Sequence, residues 1–381
     1  MNKKVAIIDT LGAHGGSFHY YTFGQAMGLI KSGYSVNIYT NNKTNDPKIN
    51  ELYFFNFYKD LFLSSFKIIN GIRWIIGSIK SIFHARLSSI SIFHFHIFYV
   101  NILILFNLFL VKILFGKTVI TIHDVRSFGV EKESSIITRI VYFLTDLLLT
   151  HNEFSKLEIM KLFPTIKSTI HIIPHGNYLP FINRNIDKKQ SKYYLNIPQN
   201  KNVILFFGMI KKVKGLEVLL KAFKKNVIKN PDLLLVIAGR VWKDDFSIYQ
   251  DIIDRENLHE HCIIHNKFIK HSEVDYYYNA SDLVVLPYKE IYQSGVMMMA
   301  LSYEVAVLSS DLPPLKEIIT DNETGFLFKS ESSDSLSEKL NYIFSNKDII
   351  NRVKKKGFIN CKEKYDWNHI GLLTANAYST L

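Results

Sequence analysis

Residues 286–317 read LPYKEIYQSGVMMMALSYEVAVLSSDLPPLKE. The pattern is a buried strand ending at Pro287, a polar loop, a helix, a second buried strand and a second loop. The first loop carries Gln293-Ser294-Gly295 and runs directly into Val296 and a methionine-rich helix. Small, hydrogen-bonding residues that open a helix leave backbone N–H groups beside the positive end of the helix dipole, a setting suited to a phosphate. Open parallel sheets bind ligands just outside the carboxyl ends of their strands, so this loop is where a ligand is expected.

Outward from that stretch, short β-type runs alternate with helical ones along the whole chain, the signature of parallel sheets covered on both faces. Strands are expected at residues 5–9, 35–39, 92–96, 118–122, 147–150 and 170–173, and again at 203–207, 233–238, 262–265, 283–286 and 305–309. Between the two sets, residues 183–201 (NRNIDKKQSKYYLNIPQNK) are polar and lysine-rich and read as a linker. The expected fold class is α/β, with two Rossmann-like doubly wound domains facing a cleft. The domains are residues 1–182 and 183–365, and a last helix over about 366–381, opened by Tyr365-Asp366-Trp367, packs back on the first domain.

With 381 residues the chain is long enough for two cores. A hydrophobic content of 48% against 21% charge excludes a disordered chain. Cys262 and Cys361 cannot build a disulfide framework, which points to a reducing cytosolic setting. Lys and Arg number 46 against 34 Asp and Glu, a net charge of +12 that suits an anionic partner. The lysines are scattered and no helix-turn-helix, zinc-finger or RNA-binding signature accompanies them, so nucleic acid is not expected. An anionic membrane surface and anionic small substrates remain.

Residues 59–86 (KDLFLSSFKIINGIRWIIGSIKSIFHAR) have two readings: a helix lying on a membrane surface, or a helix packed on the sheet with its charges solvated. Residues 97–115 (IFYVNILILFNLFLVKILF) approach the length of a membrane span. Asn101, Asn107, Lys112 and the strand-like residues that follow favour instead a helix buried between the sheet and its neighbours. The opening MNKKVAIID lacks the long apolar run of a secretory signal. The expected location is cytoplasmic, peripheral on the inner face of the plasma membrane.

Chemistry gathers at strand ends. The strand at 5–9 leads into Leu11-Gly12-Ala13-His14-Gly15-Gly16, where glycines let backbone approach a diphosphate. The spacing is not G-x-G-x-x-G, so a dinucleotide fold is not favoured. Thr121-Ile122-His123-Asp124 closes another strand, and His123 reads as a residue that meets developing charge or orients a sugar hydroxyl, or else as a structural histidine. His94 and His96 alternate on one strand, His94 reading as packing and His96 as a candidate acceptor contact beside Asp124. Gly208 through Leu216 (GMIKKVKGL) places Lys211 and Lys214 at a strand-to-helix junction without the P-loop pattern, and reads either as a place to neutralise a diphosphate leaving group or as a solvated basic loop. Asp244-Asp245 reads as a solvated pair, and no metal site is expected.

These pieces resemble retaining glycosyltransferases of the GT-B fold, specifically the large bacterial family four. The second half carries the likeness in FFGMIKKVKG, LLLVIAGR, YYNASDLVVLPY, QSGV, VAVLSSDLPPLKEIITDNETGFLF and YDW; the first half adds LGAHGG, TIHD and IIPHGN. The resemblance implies transfer of a hexose-type sugar, with retention, from a nucleotide diphosphate sugar (UDP- or GDP-) to a saccharide or lipid-linked acceptor of a surface polysaccharide or glycolipid. It implies no cofactor beyond that co-substrate, and no metal. It implies that Lys211 and Lys214 hold the diphosphate with backbone from Gly15, Gly16, Gly208, Ser294, Gly295 and Val296. It puts His123 against the reacting sugar, Glu317 at the family's second loop, and the base near Gly239, Arg240 and Phe268.

The chain departs from the family at two glutamates eight residues apart. Alignment on Gly295 puts Tyr292 and Ala300 there, leaving Gln293 and Ser294 to offer neutral hydrogen bonds, and Met209 stands where an arginine is usual. A sugar-nucleotide epimerase or hydrolase of the same fold, and a non-catalytic binding subunit, are the alternative readings.

Overall fold

The computed structural model describes residues 3–15, 18–126, 135–166, 168–242 and 245–381. In chain order the first elements are β1 (Lys3–Asp9), α1 (Phe18–Lys31), β2 (Tyr34–Asn41), β3 (Leu52–Tyr58), α2 (Lys67–Leu87), β4 (Ile92–Ile97), α3 (Ile102–Ile113), β5 (Lys117–Ile122), α4 (Ser135–Leu144), β6 (Leu147–Thr150), α5 (Glu153–Leu162) and β7 (Thr169–Ile172). There follow α6 (Lys188–Tyr194), β8 (Asn202–Phe207), α7 (Leu216–Val227), β9 (Leu233–Ala238), α8 (Ser247–Arg255), β10 (Cys262–His265), α9 (His271–Ala280) and β11 (Leu283–Leu286). The chain ends with α10 (Gly295–Ser302), β12 (Ala306–Ser310), α11 (Pro313–Lys316), β13 (Phe326–Phe328), α12 (Ser333–Ser345), α13 (Lys347–Lys364) and α14 (Trp367–Tyr378). Two α/β units of Rossmann type result, the fold class expected.

The first unit comprises Met1–Gly176 and Tyr365–Leu381, the second Asn177–Lys364. The division falls at 176/177, not at 182/183, because the residues after it bond to the second unit: Tyr178 N donates to Ser302 Oγ at 2.9 Å and Asn177 Nδ2 to Cys361 O at 3.3 Å. The expected linker is likewise part of that unit. It folds into α6, where Tyr194 stacks on Tyr276 with centroids 3.9 Å apart. Its lysines are spent on acceptors: Lys188 pairs with Asp282, and Lys192 Nζ donates to Gln199 O at 2.9 Å and Lys201 O at 2.6 Å.

The first sheet has the order β3-β2-β1-β4-β5-β6-β7 and the second β10-β9-β8-β11-β12-β13, with every pairing parallel. The central strands are aliphatic and largely buried, as strands covered on both faces must be; all six residues of β9 are buried. Right-handed crossovers put α1 on one face of the first sheet and α2 to α5 on the other. In each sheet the winding reverses once, between β1 and β4 and between β8 and β11. Those reversals are where loops splay apart and ligands bind.

β3 and β13 were not expected. Leu52–Tyr58 (LYFFNFY) is an aromatic edge strand without the aliphatic run of its neighbours, and Phe326–Phe328 is three residues long between turns. The reading of residues 97–115 as a fully buried helix is also corrected. α3 buries only Asn107, Leu108 and Val111, while Ile102, Phe109 and Ile113 are exposed, as on a helix covered along one side. Among the described residues no helix is long and apolar enough to cross a membrane.

α14 completes the first unit by packing on α1. The Trp367 ring occupies the space that a Cβ on Gly24 or Gly176 would need, and Gly28 and Gly371 bring the two helix backbones together. Trp367 is buried. Trp367→Ala should therefore cost about 3–5 kcal/mol in urea unfolding followed through the first unit. A loss below about 1 kcal/mol would show that α14 is a peripheral addition.

Candidate functional site

In the second unit the site begins at the reversal between β8 and β11. β8 runs out into Gly208, whose N–H donates to Ala238 O at 2.9 Å. Beside it Gly239 has φ +153°, and a Cβ there would overlap the carbonyl of Gly208. Only glycine allows this approach of two strand ends. The chain then makes a short 3-10 turn over Lys212–Lys214 and enters α7 through Gly215, φ +66°, where a Cβ would occupy the place of the Pro287 carbonyl. The loop after β8 is thereby pressed on the loop after β11, and Lys289 N donates to Val213 O at 2.9 Å.

Two lysines lie over aromatic rings in this junction. Lys214 Nζ is 3.8 Å from the ring centre of Tyr288, and Lys211 Nζ is 4.1 Å from that of Trp242. A cation on a π face keeps its charge while shedding part of its water. Burial pushes the Tyr288 hydroxyl up to about 12, so the ring beneath Lys214 stays neutral.

Gln293, Ser294, Gly295 and Val296 lie at the start of α10. Ser294 Oγ caps the helix, accepting from Met297 N at 3.1 Å. Its hydroxyl holds the helix terminus in place, while the amides of the first turn form the positive end of the dipole. Gln293 Oε1 is buried with no hydrogen-bond partner among the described residues. Val296 Cγ2 lies 3.3 Å from where a Cβ on Gly208 would stand, so the two loops face each other directly.

The remaining predicted donor residues sit around this centre in the same unit. Arg240 is exposed, and its carbonyl accepts from Ile210 N at 3.0 Å. Gly239 N donates to His265 O at 3.1 Å, bringing the β10 loop with exposed Phe268 alongside. Glu317 follows α11 and is exposed. Ser310 Oγ donates to Tyr288 O at 2.6 Å, tying the end of β12 to the end of β11. Among the described residues no group of three or more His, Cys, Asp or Glu side chains is placed to hold a metal ion. Asp244 lies outside the described residues.

In the first unit Gly15 ends a 3-10 turn, Gly12–Gly15, and Gly16 lies outside the described residues. Asp9, which the sequence reading passed over, anchors that turn. Its carboxylate accepts from Gly12 N at 2.8 Å and Thr22 Oγ1 at 3.0 Å, and burial raises its pKa to about 6.

His123 does not stand alone at its strand end. The four strands β4 to β7 each carry a histidine near the carboxyl end: His96 within β4, His123 and His151 directly after β5 and β6, and His175 three residues after β7. His151 Nδ1 faces Ile173 O at 2.9 Å, an acceptor only, so Nδ1 holds the proton. His151 Nε2 then accepts from His123 Nδ1 at 2.9 Å, and His123 Nε2 from His96 Nδ1 at 3.1 Å. Gln25 Oε1 lies 3.0 Å from His96 Nε2, and the Gln25 amide nitrogen is buried without a partner among the described residues; a neutral chain is completed by turning that amide over, so that its N–H is offered to His96 Nε2. Both nitrogens of His123 are thus taken by other histidines, and Phe98 stacks on its ring at 4.7 Å. His94 is a core residue, its Nδ1 paired with Tyr378 Oη at 2.6 Å and Nε2 with Thr121 Oγ1 at 2.7 Å. Asp124 is half-buried beside the group. A recurring histidine at successive strand ends was the sequence signal that could have revealed His151 and His175.

Residues 187–358 match the family model for glycosyl transferases group 1. This group 1 segment spans the second unit almost entirely. The whole chain is similar in fold to sucrose-phosphate synthase from Thermosynechococcus elongatus, with a TM-score of 0.79, 16% identity, and coverage of 99% of this chain and 98% of that one. An uncharacterised glycosyltransferase of Methanocaldococcus jannaschii is 26% identical over 239 residues, 60% of this chain and 59% of its own. The lipopolysaccharide 1,2-N-acetylglucosaminetransferase of Salmonella typhimurium is 26% identical over 214 residues, 53% and 54%. The chain spans a little over half the length of these curated relatives.

The histidine group gives a pH dependence with a definite sign. Burial holds His94 and His175 down to about 3 and His151 to about 4, and burial with neighbouring imidazoles holds His96 and His123 well below the ordinary range. Below about pH 6.5 the unfolded chain protonates these rings and the folded one does not. Stability is therefore full above that pH and is lost as pH falls towards 4, by about 1.4 kcal/mol per pH unit for each ring. Asp9 acts oppositely but is a single group. Urea midpoints of the first unit should drop from pH 7 to pH 5, and His151→Asn should flatten the slope; a pH-independent midpoint would contradict a neutral buried chain.

Proposed function

We propose that the protein transfers a hexose-type sugar, with retention and without metal, from a UDP- or GDP-sugar to a saccharide or lipid-linked acceptor in surface polysaccharide or glycolipid synthesis. The observation that carries this reading is the pressing of the Gly208–Gly215 loop against the β11 loop, which brings Lys214 and the start of α10 to one place at the sheet's winding reversal. Cleaving the anomeric C–O bond leaves negative charge on the diphosphate. Fixed cations and helix-terminal N–H groups stabilise that charge without reorganising.

In this reading Lys211 and Lys214 face the diphosphate with backbone of Gly208, Gly295 and Val296. Gly239, Arg240 and Phe268 line the base, and Glu317 the donor's other side. Gln293, with its buried unpartnered oxygen, takes a hydroxyl of the donor sugar where a carboxylate is usual. His123 reaches the sugar only by exchanging its bond with His96, so its first role is to hold that strand end together. His96 and Asp124 border the acceptor. The departing phosphate oxygen accepts the acceptor's proton, so no carboxylate nucleophile is required. The Salmonella relative, whose name carries sugar transfer to lipopolysaccharide, supports the acceptor class.

Calorimetry with a panel of UDP- and GDP-sugars tests the reading. At least one should bind, and Lys214→Ala should weaken it by about 10–100-fold, the loss of one charge-assisted contact. Absence of binding across the panel would end the proposal. Gln293→Ala should weaken the nucleotide sugar about tenfold while leaving the free nucleotide diphosphate unchanged. Equal losses for both ligands would place Gln293 away from the sugar.

A further inference from the structure

The face of the first sheet that carries α2, α3 and α4 is apolar towards solvent. On α2 the outward residues are Ile68, Ile72, Ile76, Ile79, Phe83 and Leu87, three or four apart and so on one stripe. Ile68 is 78% exposed and Ile72 53%. The inward face buries Trp74, Gly77, Ser78, Ser81, Ile82 and Ala85, so α2 has a packed side of its own and the outward isoleucines are a second apolar stripe. α3 adds Ile102, Phe109 and Ile113; α4 adds Ile136, Ile140 and Phe143, the last 70% exposed. α3 packs against both α2 and α4, so the three stripes sit on neighbouring helices.

Scattered exposed apolar side chains are ordinary, but a set running across three adjoining helices marks a binding surface. The charges decide what it binds. The three helices carry Lys67, Arg73, Lys80, Arg86, Lys112 and Arg139, and no Asp or Glu. Lys112 pairs with Asp146 at 2.5 Å; Lys67, Lys80 and Arg139 are exposed. A second copy of the same face would set cation against cation with no carboxylate to answer. An anionic bilayer satisfies both properties, its acyl boundary taking the isoleucines and phenylalanines and its headgroups the basic side chains. With no helix among the described residues able to cross, the contact is one of lying on the surface.

We propose that the α2–α3–α4 face docks the protein on an anionic lipid bilayer, with α2 lying along the headgroup boundary. The surface belongs to the first unit and uses none of the residues assigned to the sugar donor, so it stands apart from the transferase reading.

The test is flotation of the full chain with vesicles of phosphatidylcholine alone or mixed with phosphatidylglycerol. The protein should float with the mixed vesicles only, and less so as salt rises. The triple change Ile72→Ser, Ile76→Ser and Phe83→Ser, all at exposed sites, should keep the thermal midpoint and lower binding by at least about tenfold. Lys67→Gln, Lys80→Gln and Arg139→Gln together should lower it by about tenfold and remove most of the salt dependence. Nucleotide-sugar binding without lipid should be alike in all three proteins, separating this proposal from the transferase reading. No flotation at low salt, or flotation unchanged in both variants, overturns it. So does a dimer in sedimentation that the serine variant converts to monomer, which would give the face to a second copy.

Discussion

Two contacts of backbone on backbone hold the second unit's site together: Gly239 against the Gly208 carbonyl, and Gly215 against the Pro287 carbonyl. Neither leaves room for a methyl group. Their effect is to fuse three strand ends, those of β8, β9 and β11, into one rigid platform at the winding reversal. Lys211, Lys214 and the start of α10 are mounted on that platform. Lys214 lies over Tyr288 because the β8 and β11 loops touch, and Val296 at the start of α10 meets Gly208 at the same junction. Stabilisation of developing charge depends on donors that do not move, and tight glycine packing supplies that rigidity.

The two units treat their strand ends differently. In the second, lysine ammonium groups rest on aromatic rings. In the first, imidazoles satisfy one another in a line from Gln25 to the Ile173 carbonyl, and none is charged at neutral pH. A run of neutral donor-acceptor groups fixes ring orientation through tautomers alone, since each proton position forces the next.

Much of this was legible beforehand. The central strands announced themselves as aliphatic runs, since strands covered on both faces have no polar alternation to hide them. β3 and β13 were missed because edge strands are short or aromatic and carry no such run. The segment containing α6 looked like a linker because its lysines were read as solvated, whereas Lys188 and Lys192 are bound to specific acceptors. α3 looked buried because apolar composition says nothing of which side is covered. The phosphate loops were found from glycines at strand ends; the histidine line was not, because its members are separated by whole βα units and meet only through strand order.

The return of α14 to the first unit has a consequence for synthesis. The second unit is one uninterrupted stretch, so all of its residues are present once about Lys364 has left the ribosome. The first unit, though begun earlier, lacks Trp367 until the whole second unit has been made, and until then Gly24, Gly28 and Gly176 frame an unfilled notch. Order of translation and order of completion are therefore reversed, the later-made unit maturing first.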